Sequence, residues 1–191
     1  MRDRFANLTV FADGLKGGVA TRARRVILSP MSPTALSIRA LNSSVGMLEI
    51  MCGDLSPAEY LHRPVPKANC AAWIVGHLVI STRWVAAKLG GGALPPLPDG
   101  FEKRFSQKDG APEAAEFGDV SILIPELKAA TAALAKVIEA LPEDKLSEPL
   151  EGKHPMFQIL GDFVAFAPLH NVSHAGQVST IRRSLGRPPV I

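Results

Sequence analysis

Cysteine is scarce in this 191-residue chain: Cys52 and Cys70 are the two present, and they form no Cys-x-x-Cys pair. That excludes a disulfide-dense scaffold and a thiolate zinc finger, and it fits a reducing compartment. Aromatic residues are 6% of the chain, with Tyr60 the single tyrosine. Charge is close to balanced, at 21 Lys and Arg against 18 Asp and Glu, a net +3 with a pI near 9.0. A nucleic-acid footprint needs a denser basic face with interleaved aromatics. The clusters Arg22-Arg24-Arg25 and Arg182-Arg183-Arg187 read as solvated helix ends, and no nucleic-acid partner is expected. Polar residues break the apolar runs every few positions, so no membrane span or membrane partner is expected. The start, Met1-Arg2-Asp3-Arg4, is charged, and Asp13 and Lys16 interrupt the next apolar stretch, which makes a poor signal peptide. The expected location is therefore cytoplasmic. Gly90-Gly91-Gly92 lacks the Lys-Ser/Thr of a phosphate loop, and no Glu follows His170 as the zinc-protease helix requires. Strand-like alternation, internal repeats and low-complexity tracts are also missing.

What is present is helical periodicity in a chain that is 47% hydrophobic. Residues 1–31 are weakly periodic and read as a poorly ordered extension, with a short helix over Phe5–Leu15 as the alternative. Residues 32–191 form the folded domain. Its first helix starts at Ser32-Pro33, an N-cap with proline at the first helical position, and runs to about Met51. Ile38, Leu41, Val45, Leu48 and Cys52 make its seam, and Gly53 fits its stop. Ser56-Pro57-Ala58-Glu59 has the spacing of a capping box. A second helix is expected from an Asn69 cap to about Leu89, facing inward at Cys70, Trp73 or Ile74, His77, Ile80 or Ser81, and Trp84. A third runs from about Ser121 to Leu141, carried by Ile124, Leu127, Thr131, Leu134, Ile138 and Leu141, with Pro125 tolerable only in its first turn. The fourth is expected from about Pro155 to Leu185, kinked at Pro168 and stopped by Gly186. Residues 90–118, rich in Gly and Pro, are long enough to return along the bundle and make helices two and three parallel. The fold class is therefore all-α, a four-helix bundle with a long crossover between helices two and three.

Three histidines fall on seam positions of that bundle. His170 and His174, at i and i+4, stack on one face of the fourth helix, and His77 lies in the seam of the second. A lone core histidine is ordinarily just a satisfied polar residue. Three buried imidazoles without partners would each carry about 1–3 kcal/mol of desolvation cost. One shared metal removes much of that cost, and three nitrogens leave open positions that suit a catalytic site. Gln177, one turn beyond His174, is a candidate to hold a metal-bound water or steady a ligand; a plain polar residue near the bundle end is the alternative. Gly176 would let another backbone approach closely. Cys70, two turns before His77 at ~10 Å along the axis, reads as a small core filler rather than a reactive thiol. His62 and His154 lie near prolines at helix ends and read as surface or capping residues. Ser173 points away from His174, which argues against a serine nucleophile. Glu49 and Asp162 are candidate general acids or bases.

The segments Trp73-Ile74-Val75-Gly76-His77-Leu78 and His170-Asn171-Val172-Ser173-His174-Ala175-Gly176-Gln177, followed by Ile181-Arg182-Arg183-Ser184-Leu185-Gly186, resemble the DinB-like family of metal-binding four-helix bundles. The likeness covers roughly Pro33 to Gly186. The N-terminal extension and Pro168 depart from the family's pattern. The family's helix-two histidine corresponds to His77, and its C-terminal His-x-x-x-His-x-Gly-Gln to His170, His174, Gly176 and Gln177. The resemblance implies one divalent ion at His77, His170 and His174, zinc, nickel or similar. It also implies a thiol-dependent transferase, which moves a low-molecular-weight thiol onto an electrophilic small-molecule substrate. A metal-dependent hydrolase and a non-enzymatic metal-binding module, a homodimer with a stress-related role, are the alternatives.

Overall fold

The computed structural model describes residues 31–106, 117–152 and 154–190. The extension over 1–30, with its alternative helix and arginine cluster, lies outside them. Helix α1, Pro33–Cys52, begins where Ser32-Pro33 sets it: the Ser32 hydroxyl accepts from the Ala35 N–H at 3.1 Å. Leu41, Val45, Leu48 and Cys52 of the expected seam are buried, and Ile38 is half-buried. Helix α2, Pro57–Tyr60, is one turn closed by the expected capping box, in which the Glu59 carboxylate accepts from the Ser56 N–H at 2.8 Å.

Helix α3, Ala71–Lys88, starts a residue later than expected. Its N-cap is Cys70, which makes no side-chain capping bond, so Asn69 is not the cap. Helix α3 is buried on nearly every side, because two helices flank it and a third covers it. Leu78, Val79, Thr82, Val85 and Ala86 are all inside. Trp84, which spacing placed inward, is 40% exposed and lies over Phe157 and Phe163, with the Lys88 ammonium 5.8 Å from its ring centre. A one-seam pattern cannot describe a helix buried all round. Gly90, at φ 81°, supplies the left-handed residue that ends it.

The crossover contains a short helix, α4, Phe101–Phe105, that periodicity did not show. Phe101 and Phe105 are buried, with ring centres 4.5 Å apart. Helix α5, Leu123–Ala140, follows a 3₁₀ turn at Val120–Ile122, with Pro125 in its first turn. Helix α6, Leu160–Ser184, starts five residues later than the expected Pro155. There the chain is pinned instead by a bridge between Pro149 and Ile159, with the Leu150 N–H donating to the Gln158 carbonyl at 2.8 Å. Helix α6 runs on through Pro168.

The four long helices pack in a ring, α1 against α6, α6 against α3, α3 against α5, and α5 against α1. Ser44 meets Asn171 and Met51 meets Arg182, so α1 and α6 run parallel. Leu89–Gly92 border Lys136–Leu141, so α3 and α5 also run parallel, as the long crossover requires. The described residues form an all-α bundle without a strand, and no described helix is long and apolar enough to cross a membrane. The core falls into two clusters. On α3 the first reaches Val79 and the second begins at Val85; on α6 the second ends at Ala167 and the first resumes at Ala175. His170 and His174 stand in that gap.

Candidate metal centre

His77 comes from α3, and His170 and His174 from consecutive turns of α6. Their nearest ring nitrogens all lie within 4.8 Å of one another. His170 Nε2 and His174 Nε2 are 3.1 Å apart. Two nitrogens each about 2.0–2.1 Å from a zinc ion stand roughly 3.3 Å apart along a tetrahedral edge. The pair on α6 is therefore already at ligand spacing, and His77 completes a three-nitrogen donor set.

The rotation of α6 that aims its histidines at α3 is set by Asn171. This residue is 1% exposed, and its amide donates to the Ser44 hydroxyl at 3.0 Å; Ser44 in turn donates to the Leu41 carbonyl at 2.7 Å. An amide buried at that depth has to find its partner, so the contact fixes which face of α6 meets α1. Residues 170 and 174, about 60–100° round the helix from Asn171, then point toward α3.

Two of the imidazoles, His170 and His77, are also supported from behind. Ser81 Oγ lies 3.2 Å from His170 Nδ1, and Phe166 stacks on the same ring, with centres 4.8 Å apart. Trp73 stacks flat on His77, with centres 4.7 Å apart and planes 6° from parallel. The Phe105 backbone carbonyl lies close enough to the His77 ring to raise its pKa, without a hydrogen bond of ordinary geometry. Gln177 lies near enough to His174 to raise its pKa slightly, yet it makes no hydrogen bond of ordinary geometry, and the buried His174 Nδ1 has no partner. Gln177 Oε1 accepts from the Asn69 amide at 3.4 Å.

Burial holds all three histidines below the ordinary imidazole range. His170 is pushed down to about 4, by burial first and then by His174 and His77. His174 is also pushed down to about 4, by burial and then by His77. His77 is lowered by burial, against the Phe105 carbonyl. The three are therefore neutral near pH 7, the form a metal requires. The donor set, the spacing and the neutral rings all fit one divalent cation.

Other candidates fall elsewhere. Glu49 pairs with Lys128 on α5 at 2.7 Å, away from the α3–α6 seam. Asp162 caps the start of α6, accepting from the Gln158 and Ile159 N–H groups at 2.6 and 3.1 Å. Among the described residues no carboxylate joins the cluster. Gly176 is exposed, and a Cβ there would meet nothing within 4 Å, so it is not a site of close packing. Cys70 is fully buried and burial raises its pKa, so it is a protonated core filler. His154 Nδ1 accepts from the Met156 and Phe157 N–H groups, and His62 Nε2 sits 2.9 Å from Ser184 Oγ, the capping and surface roles expected. Ser81 and Phe105 are supporting residues that sequence reasoning missed. Ser81 was visible as an inward position; nothing local marks Phe105.

A helical bundle with three convergent neutral imidazoles and no fourth protein ligand among the described residues defines a candidate metal-binding protein of the all-α class. The model of the DinB superfamily matches residues 41–178, which include all three histidines, and the chain belongs to that superfamily. A crystal structure described as a conserved protein from Enterococcus faecalis superposes with a TM-score of 0.67 at 19% identity, over 83% of this chain and 100% of its own. At that identity the likeness carries the fold alone. A search of curated proteins finds no match.

Proposed function

We propose that this protein is a metal-dependent enzyme that transfers a low-molecular-weight thiol to an electrophilic small molecule. The observation that carries the reading is the three-imidazole set, which no carboxylate or thiolate joins among the described residues. His77, His170 and His174 would hold zinc, nickel or a similar divalent ion. Such an ion, left with its full charge and with positions open, supplies the Lewis acidity that lowers the pKa of a thiol or a water. The chain's own part is to keep the rings neutral by burial, to fix two of them from behind through Ser81 and the Phe105 carbonyl, and to keep competing anionic ligands away. Gln177 would steady His174 or a group bound beside it, a role its proximity to His174 supports.

The test is thiol consumption with a generic electrophile by metal-loaded wild type and by His174→Ala at matched folding. Metal-dependent turnover lost in the variant is expected. Absence of turnover across a panel of small thiols, with no thiol-induced change in the spectrum of the cobalt-substituted protein, would leave the non-enzymatic metal-binding module as the better reading. Turnover of an ester or amide without thiol would favour the hydrolase.

A further inference from the structure

Gly76, the residue just before His77, has no room for a side chain. A Cβ built there would stand 2.3, 2.4 and 2.5 Å from Phe105 Cδ1, Cγ and Cε1, far inside van der Waals contact. The Phe105 ring therefore lies directly on the α3 backbone at Gly76. It is held there by Phe101, with ring centres 4.5 Å apart, and by Phe117, with centres 5.8 Å apart, and all three phenylalanines are at most 3% exposed. The backbone carbonyl of the same residue lies close enough to the His77 imidazole to raise its pKa, against the burial that lowers it. Ring and carbonyl hang from the same Cα, so displacing the ring from Gly76 disturbs the backbone that carries the carbonyl.

We infer that helix α4 is a positioning device for His77: Phe105, seated on Gly76, holds the His77 imidazole in the orientation the metal centre needs. The inference rests on the metal-site reading above. A histidine that ligates through one ring nitrogen ordinarily gives the other N–H to a carbonyl, a carboxylate or a hydroxyl, which fixes its tautomer and direction. His170 has Ser81 for this purpose, at 3.2 Å. His77 has the Phe105 carbonyl nearby on one side and the flat face of Trp73 on another, which restrict the movement of its ring. This gives the crossover a role beyond returning the chain along the bundle. Phe105 is a positioning residue; it touches no substrate in this account.

The experiment compares wild type with Gly76→Ala, Phe105→Ala, the double variant Gly76→Ala/Phe105→Ala, and His77→Ala. Three readouts are taken on folded protein: cobalt affinity, the visible spectrum of bound cobalt, and the imidazole NMR signals of the metal-free protein. Gly76→Ala should weaken cobalt binding about tenfold or more, the scale for loss of a group supporting a ligand. It should also change the cobalt spectrum and move the His77 signal while leaving those of His62 and His154 in place. Phe105→Ala should shift the same readouts less. The double variant should recover part of the affinity, because the added methyl then has space and the carbonyl can return. A merely structural role would change stability but leave the His77 signal and the cobalt spectrum as in wild type, and that result overturns the inference. So does a Gly76→Ala defect that the double variant does not relieve. If Gly76→Ala cannot be obtained folded, Phe105→Leu carries the test, with a smaller shift of the His77 signal and cobalt spectrum expected and unchanged values overturning it. Failure of the metal-site reading is seen separately: wild type and His77→Ala would then bind cobalt equally poorly, and the inference would fall with it.

Discussion

Helix α6 carries two polar clusters eight residues apart, and they are built on opposite rules. At its C-terminal end the Arg182 guanidinium, 2% exposed, is paired with Asp54 and also donates to the Met51 carbonyl at 2.7 Å. Arg187 reaches Asp54 at 2.9 Å and Glu59 at 2.8 Å. Each charge in this group has an opposite charge beside it. Arg182 holds Asp54 below the carboxylate range, and Arg187 brings Glu59 down to about 2. Two turns and more upstream, the half-buried His170 and buried His174 have no counter-charge, are pushed toward neutrality instead of being paired, and His174 Nδ1 has no partner. The ionic cluster pairs every charge, leaving the buried Arg182 Nε alone without a partner, and ties the α6 end to the α1–α2 corner. The imidazole cluster is incomplete as protein alone. Buried polar groups with poor internal satisfaction are costly, and where they converge on one point a ligand is the expected explanation.

The sharpest way to break this contrast is metal content. Elemental analysis of purified wild type should find about one divalent ion per chain, and His170→Ala close to none. Asp54→Ala should keep the wild-type content. Equal metal in wild type and His170→Ala would make the two clusters alike and remove the candidate site.

Asp54→Ala is the complementary cut. It leaves the Arg182 guanidinium buried without its carboxylate, at a cost of about 3 kcal/mol, the low end for a broken buried pair because Asp54 is half exposed. Urea unfolding should show a lowered midpoint with the slope unchanged. A midpoint within experimental error of wild type would mean that water replaces Asp54 without loss.

Acid should separate the clusters next. In the metal-free protein His170 and His174 sit at about 4, against an ordinary value of 6.5. Between those values the unfolded chain binds more protons, so stability is fully present above about 6.5 and falls as pH drops toward about 4. Glu59 is held at about 2 against 4.5, so its contribution persists to about pH 4.5 and fades only below it. The check is urea unfolding of chelated protein at about pH 7.5 and about pH 5, wild type beside His170→Ala/His174→Ala. The double variant should lose less stability between the two, and an equal loss would mean that the triad is not what acid attacks. Chelated wild type should keep its helical circular dichroism near neutral pH, since both apolar clusters are independent of the ion.

The seams of α1 and α5, the Ser32-Pro33 start and the three histidines were legible because each is a local or periodic signal. What stayed hidden depends on chain segments meeting from far away. Helix α4 is five residues long, too short for a period. Phe105 matters only because the crossover returns it to Gly76. Arg182, read as solvated, is buried because Asp54, 128 positions earlier, comes to meet it. Asn69 has the composition of a cap, but the helix begins a residue later and Asn69 turns toward Gln177. Trp84 was misplaced because α3 has no single inward face.

The smallest expected effect concerns Gly176, which sits between the clusters and belongs to neither. Its position in the His-x-x-x-His-x-Gly-Gln segment suggested a packing role, but it is exposed on α6, has a helical backbone without positive φ, and has open space where a Cβ would go. Glycine in a helix interior costs up to about 1 kcal/mol relative to alanine, chiefly through the freedom of the unfolded chain. Gly176→Ala should therefore stabilise the protein by about 0.5–1 kcal/mol in urea unfolding and leave metal content unchanged. If the variant were instead destabilised, or lost metal while folded, something must approach Gly176 that the single chain does not show, such as a second copy or a substrate over the His174 side of α6. That outcome would move Gly176 from the helix scaffold into the metal-centre half of the comparison.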